Sequence, residues 1–161
     1  MGIVRKLHTV LTVIMIIIIV FFGGVFFVPN LFGYKPYNVL TGSMEPTYPV
    51  GSLIYVKKVP AETLKNGDVV TITNGGTPIT HRIVEIDSEQ KVVYTQGDAN
   101  QSADGATPFE QIIGKAAKIH FPLLGKVFQT IQSGSYRKIF IIGAVVFLFF
   151  WFITDVEEKR R

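Results

Sequence analysis

Two uncharged apolar blocks, residues 10–28 and 139–153, bracket a stretch in which hydrophobic and polar positions alternate over short runs. The first block reads VLTVIMIIIIVFFGGVFFV. As a helix rising about 1.5 Å per residue it would be about 28 Å long, close to a bilayer core of about 30 Å. Arg5 and Lys6 precede it, which predicts that residues 1–9 stay in the cytoplasm. A cleaved secretory signal has a shorter apolar region, about 7–15 residues, followed by small residues. Pro29, Asn30, Leu31 and Phe32 follow here, so an uncleaved transmembrane helix over residues 10–28 is expected. The second block would form a helix of about 22 Å and has no polar face of the kind a surface-lying helix needs. Arg137 and Lys138 can snorkel at one end and Trp151 can sit at the other interface. A second transmembrane helix over 139–153 is therefore expected, with residues 154–161 as a cytoplasmic tail.

Between the blocks, the runs 52–59 (SLIYVKKV), 68–73 (DVVTIT), 79–86 (ITHRIVEI), 91–95 (KVVYT) and 112–119 are rich in Val, Ile, Thr and Tyr and are bounded by turn residues. Asn74-Gly75-Gly76 separates two of them as a hairpin would. No helical period shows in this stretch. The expected fold class is mainly β: a small antiparallel β domain over residues 29–138, outside the cytoplasm, tethered by the two membrane helices.

The net charge of +4 changes this picture little. Five of the 16 basic and three of the 12 acidic residues lie in the end segments, leaving 11 and 9 between the blocks. Such a balance, without a clustered basic stripe and interleaved aromatics, argues against nucleic acid as a partner. The chain has no cysteine, which excludes disulfides, thiolate zinc sites and a cysteine nucleophile.

The chemistry concentrates around Ser43, in Thr41-Gly42-Ser43-Met44-Glu45-Pro46-Thr47 just past the first apolar block. Pro46 drives Glu45 out of helical geometry, and Gly42 permits a sharp turn. A helix cap is a weak reading, because a capping box would want Glu or Gln at position 46. A serine hydroxyl needs a neighbouring base to become nucleophilic. His8 lies on the cytoplasmic flank, and His120 sits in an apolar context near the second block, while His81 lies in the run 79–86. An imidazole can take and return a proton near neutral pH, although a strand histidine is by itself ordinary. Lys57 and Lys58 are rival bases, but a lysine serves only when burial depresses its ionisation strongly. Asp98 and Asp104, in the polar loop Gly97-Asp98-Ala99-Asn100-Gln101-Ser102-Ala103-Asp104-Gly105, could orient a histidine; turn formation alone also explains them. The loop does not match calcium-loop spacing, and neither a metal nor another cofactor is expected.

Taken together, these segments resemble signal peptidase I, in its endoplasmic-reticulum-type branch. Gly42-Ser43-Met44-Glu45-Pro46 is similar to that family's nucleophile box, and Gly67-Asp68-Val69-Val70 to the strand leading towards the base. His81-Arg82 stands where the bacterial branch carries Lys-Arg, and Gly97-Asp98-Ala99-Asn100 resembles the Gly-Asp-Asn-Asn box, with Ala99 as the departure. Ile113-Gly114-Lys115-Ala116 and Pro122-Leu123-Leu124-Gly125 resemble the closing segments. The resemblance implies a membrane-anchored serine endopeptidase that removes signal peptides from preproteins at the outer membrane surface. It implies Ser43 as nucleophile, His81 as general base and then acid, Asp104 as the orienting carboxylate and Asp98 as a supporting acid. It also implies oxyanion donors at the Ser43 N–H and the Thr41 hydroxyl, with Val39, Leu40 and Met44 near the substrate or the lipid. The competing expectation is a non-enzymatic, membrane-tethered β-module that binds a secreted partner. A self-cleaving β-protease of the repressor class is disfavoured by residues 10–28, since those proteins are soluble.

Overall fold

Residues 2–132 and 151 are described in the computed structural model of the chain. The first apolar block is helical, as its composition predicts. Helix α1 spans Gly2–Phe26, and a single further turn, α2, follows at Val28–Leu31 around Pro29. The stretch Thr9–Leu31 is 23 residues with a mean hydropathy of 3.0, long and apolar enough to cross a membrane. Among the described residues it is the one such helix. The expected second span over 139–153 lies outside the described residues except for Trp151, whose indole N–H donates to the Thr12 hydroxyl at 3.3 Å.

The remainder is one antiparallel sheet of seven strands: β1 (Tyr34–Asn38), β2 (Leu53–Lys57), β3 (Val69–Asn74), β4 (Thr77–Asp87), β5 (Val92–Gln96), β6 (Thr107–Pro108) and β7 (Ile112–Phe121). Their order across the sheet is β1-β2-β7-β3-β4-β5-β6. The five runs expected from alternation are β2, β3, β4, β5 and β7. The predicted run 112–119 continues to Phe121, because Phe121 still pairs with Leu53. Strands β1 and β6 were not expected. Both contain proline (Pro36, Pro108) and both lie at sheet edges, where a missing N–H leaves no ladder bond unmade. Gly75 and Gly76, both at positive φ, close the β3–β4 hairpin as a two-residue loop.

The expectation of no helix in the middle is corrected by α3 (Leu124–Gln132). Leu124 and Phe128, one turn apart, join an apolar cluster with Val25, Leu53 and Tyr55, and Phe128 stacks on Phe26 at 5.4 Å. This packing ties the C-terminal end of α1 to the sheet. Two further clusters hold the sheet faces. One gathers Met44, Tyr48, Ile54, Val56, Val69 and Ala116; the other gathers Leu64, Val70, Ile72, Ile83 and Val93.

Candidate active site

The turn carrying Ser43 is a single 3-10 turn, Gly42–Met44, entered and left through extended residues Thr41 and Glu45. Glu45 precedes Pro46 and takes the extended geometry that a following proline imposes. Two backbone bonds close the turn, Glu45 N–H to Gly42 C=O at 3.0 Å and Tyr48 N–H to Met44 C=O at 2.8 Å. Met44 is 1% exposed and packs into the first sheet cluster. Its side chain fixes the turn to the sheet, which leaves the half-buried Ser43 hydroxyl at the margin of the core.

His81 lies in β4 opposite Val70 of β3 and is buried. Its Nε2 is 3.0 Å from Ser43 Oγ, and its Nδ1 is 2.6 Å from Asp104 Oδ2. An ionised carboxylate can only accept. The ring proton therefore belongs on Nδ1, and the free pair on Nε2 faces the serine hydroxyl. Asp104 is held by two contacts from Thr95: the Thr95 hydroxyl donates to Oδ2 at 2.6 Å, and Asp104 N–H donates to Thr95 C=O at 2.6 Å. Thr95 was absent from the sequence expectations. Its signal was available, since a fully buried threonine in the alternation of β5 must find a partner for its hydroxyl.

Asp98 occupies a different position from Asp104. It accepts from Arg82 through both oxygens, Nε to Oδ1 at 2.8 Å and Nη2 to Oδ2 at 2.7 Å, and also from the Thr47 hydroxyl. The geometry thus gives Asp104, not Asp98, to the imidazole, and Asp98 to a clamp joining β4 to the nucleophile segment. The Arg82 hydrogen bonds hold the Asp98 carboxyl below the usual carboxylate range, with help from Thr47 and against the effect of burial. Arg82 and His81 are consecutive, so strand alternation sends one to the clamp and the other to the serine.

The loop after β5 touches the nucleophile directly. Ala99 N–H donates to Ser43 C=O at 2.9 Å. A Cβ at Gly97 would stand 2.6 Å from the same oxygen, so glycine is needed there for a close approach rather than for an unusual φ. Thr41 Oγ1 sits 3.4 Å from Ser43 Oγ. Of the apolar residues near the serine, Val39 packs against the core, whereas Leu40 is 65% exposed. The rival base Lys57 is exposed and places its ammonium over the Tyr34 ring, 5.3 Å from the centroid. His120 meets Tyr48 edge to face at 5.3 Å. A cavity of about 360 Å³, bordered by Ile72, Ile79, His81, Asp104 and Gln111, opens beside the imidazole–carboxylate pair. Among the described residues no group of three or more His, Asp or Glu side chains is placed to hold a metal ion. A hydroxyl, an imidazole and a carboxylate in this sequence of contacts form a relay that can draw a proton off the hydroxyl.

Comparison with known proteins points the same way. The family profile described as signal peptidase, peptidase S26, matches residues 7–98. Signal peptidase I W of Bacillus subtilis is 44% identical over 82 residues, covering 48% of this chain and 43% of the relative. The signal peptidase complex catalytic subunit SEC11 of Lachancea thermotolerans is 30% identical over 123 residues, covering 66% of this chain and 71% of the relative. The corresponding human subunit, SEC11C, is 29% identical over 128 residues, covering 68% and 65%. The match thus spans less than half of the Bacillus relative's length and about two thirds of the other two.

Proposed function

Since this chain belongs to the signal peptidase family, peptidase S26, we propose that it is a membrane-anchored serine endopeptidase that removes signal peptides from preproteins. In this reading Ser43 Oγ attacks the carbonyl carbon at the cleavage site while His81 Nε2 takes its proton. The protonated ring then returns that proton to the leaving amine, and water repeats the cycle on the acyl-enzyme. Asp104 stabilises the imidazolium and fixes its tautomer. The observation that carries the reading is the run of contacts from Ser43 through His81 to Asp104, at 3.0 and 2.6 Å. The Ser43 N–H and the Thr41 hydroxyl serve as oxyanion donors, and the 3.4 Å between the two hydroxyl oxygens supports Thr41 in that role.

Strand β4 pairs with β5 only from Arg82 onward, so its residues 77–81 carry an unpaired edge leading into His81. An extended substrate adds there as a further strand, bringing its scissile bond to Ser43. The apolar helix at the N-terminus is the anchor, and Arg5 and Lys6 orient it so that the sheet stands on the outer surface of the membrane.

The test is cleavage of a preprotein by the purified chain in detergent. Ser43→Ala and His81→Ala each abolish turnover without unfolding the protein. Turnover that survives His81→Ala but is lost in Lys57→Ala or Lys58→Ala would transfer the base role to lysine. Unchanged turnover in Ser43→Ala would remove the mechanism altogether.

A further inference from the structure

Val93 and Thr95, two apart in β5, are both fully buried. Val93 packs with Val70, Ile72 and Ile83. Thr95 lies opposite Ile83 in the β4–β5 ladder, a position that valine would fill without leaving a hydroxyl to satisfy. That hydroxyl donates to Asp104 Oδ2 at 2.6 Å. The same oxygen meets His81 Nδ1 at 2.6 Å. Two donors from adjacent strands thus converge on one carboxylate oxygen, and among the described residues no hydrogen bond reaches the other, Oδ1. The surrounding loop offers Asp104 little other support. Ser102, Ala103, Gly105 and Ala106 are exposed, and the partly exposed Asp104 side chain borders the cavity beside the imidazole. The Asp104 N–H also bonds to Thr95 C=O, so one threonine grips both the backbone and the side chain of the acid.

We propose that Thr95 is a positioning residue of the proton relay: its hydroxyl, rather than its bulk, holds Asp104 in line with the imidazole. The proposal rests on the peptidase reading given above. A carboxylate accepts over a broad range of directions, so a single ring N–H leaves it free to swing. A second donor on a buried, β-branched side chain, stiff about its first torsion, removes that freedom before the ring becomes charged. Without the hydroxyl the carboxylate turns towards the cavity, and the imidazolium forms with its partner displaced. Thr95 touches neither the substrate nor the reacting atoms, so its contribution appears in turnover and not in substrate binding.

The experiment compares the full-length wild type with Thr95→Ser, Thr95→Val and Thr95→Ala, each cleaving a preprotein in detergent, with thermal unfolding of the same preparations. The wild type and Thr95→Ser carry the hydroxyl; the wild type and Thr95→Val carry the bulk. Thr95→Ser is expected to keep kcat within about threefold of the wild type, while Thr95→Val and Thr95→Ala lose about 10- to 100-fold with KM changed by less than about twofold. Stability follows the bulk instead, so Thr95→Ser and Thr95→Ala unfold at lower temperature than Thr95→Val. A packing role alone would make kcat follow the unfolding temperature. In an Asp104→Asn background, Thr95→Val lowers kcat by less than about threefold more, because both changes act through one side chain. If Thr95→Val does not fold, the Ser and Ala variants decide, since they differ by a single oxygen atom. Wild-type kcat in a folded Thr95→Val enzyme, equal losses in Thr95→Ser and Thr95→Ala, or full additivity with Asp104→Asn overturns the role of the hydroxyl and leaves the peptidase reading intact. A wild type that cleaves no preprotein overturns both.

Discussion

Replacing Gly97 with alanine tests whether the loop after β5 sets the position of the nucleophile. The added Cβ would lie 2.6 Å from Ser43 C=O, against the 3.4 Å at which ordinary contact begins. It would also meet Asn100 Nδ2 at 2.8 Å, but that amide is the end of a side chain and can swing aside. The carbonyl is backbone and cannot. Relief therefore requires Ser43 and the loop to part by about 0.8 Å. That motion pulls on the Ala99 N–H bond to the same oxygen and lengthens the 3.0 Å contact between Ser43 and His81 beyond hydrogen-bond range. Misplacement of a reacting group by about 1 Å lowers turnover by about 10²-fold. The packing strain itself should destabilise the fold by about 1–3 kcal/mol. The assay is steady-state cleavage of a preprotein in detergent, paired with thermal unfolding of the same preparation. The expected result is a folded enzyme whose kcat falls about 10²-fold while KM moves little. Wild-type kcat in a folded Gly97→Ala enzyme would refute the claim that this contact positions the serine.

Two further outcomes follow from the carboxylates. Asp104→Asn keeps a hydrogen bond to the ring but presents an N–H to Nδ1, which forces the other tautomer and leaves Nε2 unable to accept; kcat should fall on the order of 10³–10⁴-fold, and a loss of under tenfold would show that the tautomer is fixed elsewhere. Asp98 is held below the usual carboxylate range mainly by its Arg82 hydrogen bonds. The unfolded chain therefore binds more protons than the folded one in acid. The stabilisation from Asp98 is complete above the unfolded carboxyl's titration, near pH ~4, and is lost as pH falls through the lower folded value. The gap in Tm between wild type and Asp98→Asn should be present at neutral pH and narrow as pH falls below about 4; a gap that does not narrow would refute the assignment.

The central strands were readable because β-branched alternation between turn residues encodes a half-buried sheet directly. Strands β1 and β6 were hidden by Pro36 and Pro108, since local propensity cannot register an edge position that only the assembled sheet creates. Helix α3 was hidden for a related reason: Leu124 and Phe128 make a helical pair only against Phe26 and Leu53, which are distant in sequence. At the site, Ser43 and His81 stood out through the turn chemistry of one and the strand context of the other. The choice between Asp98 and Asp104 stayed open, because the five residues of polar loop between them let either carboxylate reach the ring. The decision depends on partners outside the loop. Arg82 and Thr47 claim Asp98, and Thr95 delivers Asp104.

His81 and Arg82 face opposite sides of one strand, so the identity of the group beside Ser43 depends on the register of β4. If β4 slid along β3 by a single position, a guanidinium would stand where the imidazole belongs, and it cannot accept a proton. On the proposed mechanism, such a misregistered sheet would leave Ser43 without a base. The proton relay of that mechanism therefore forms only with correct registration of the sheet.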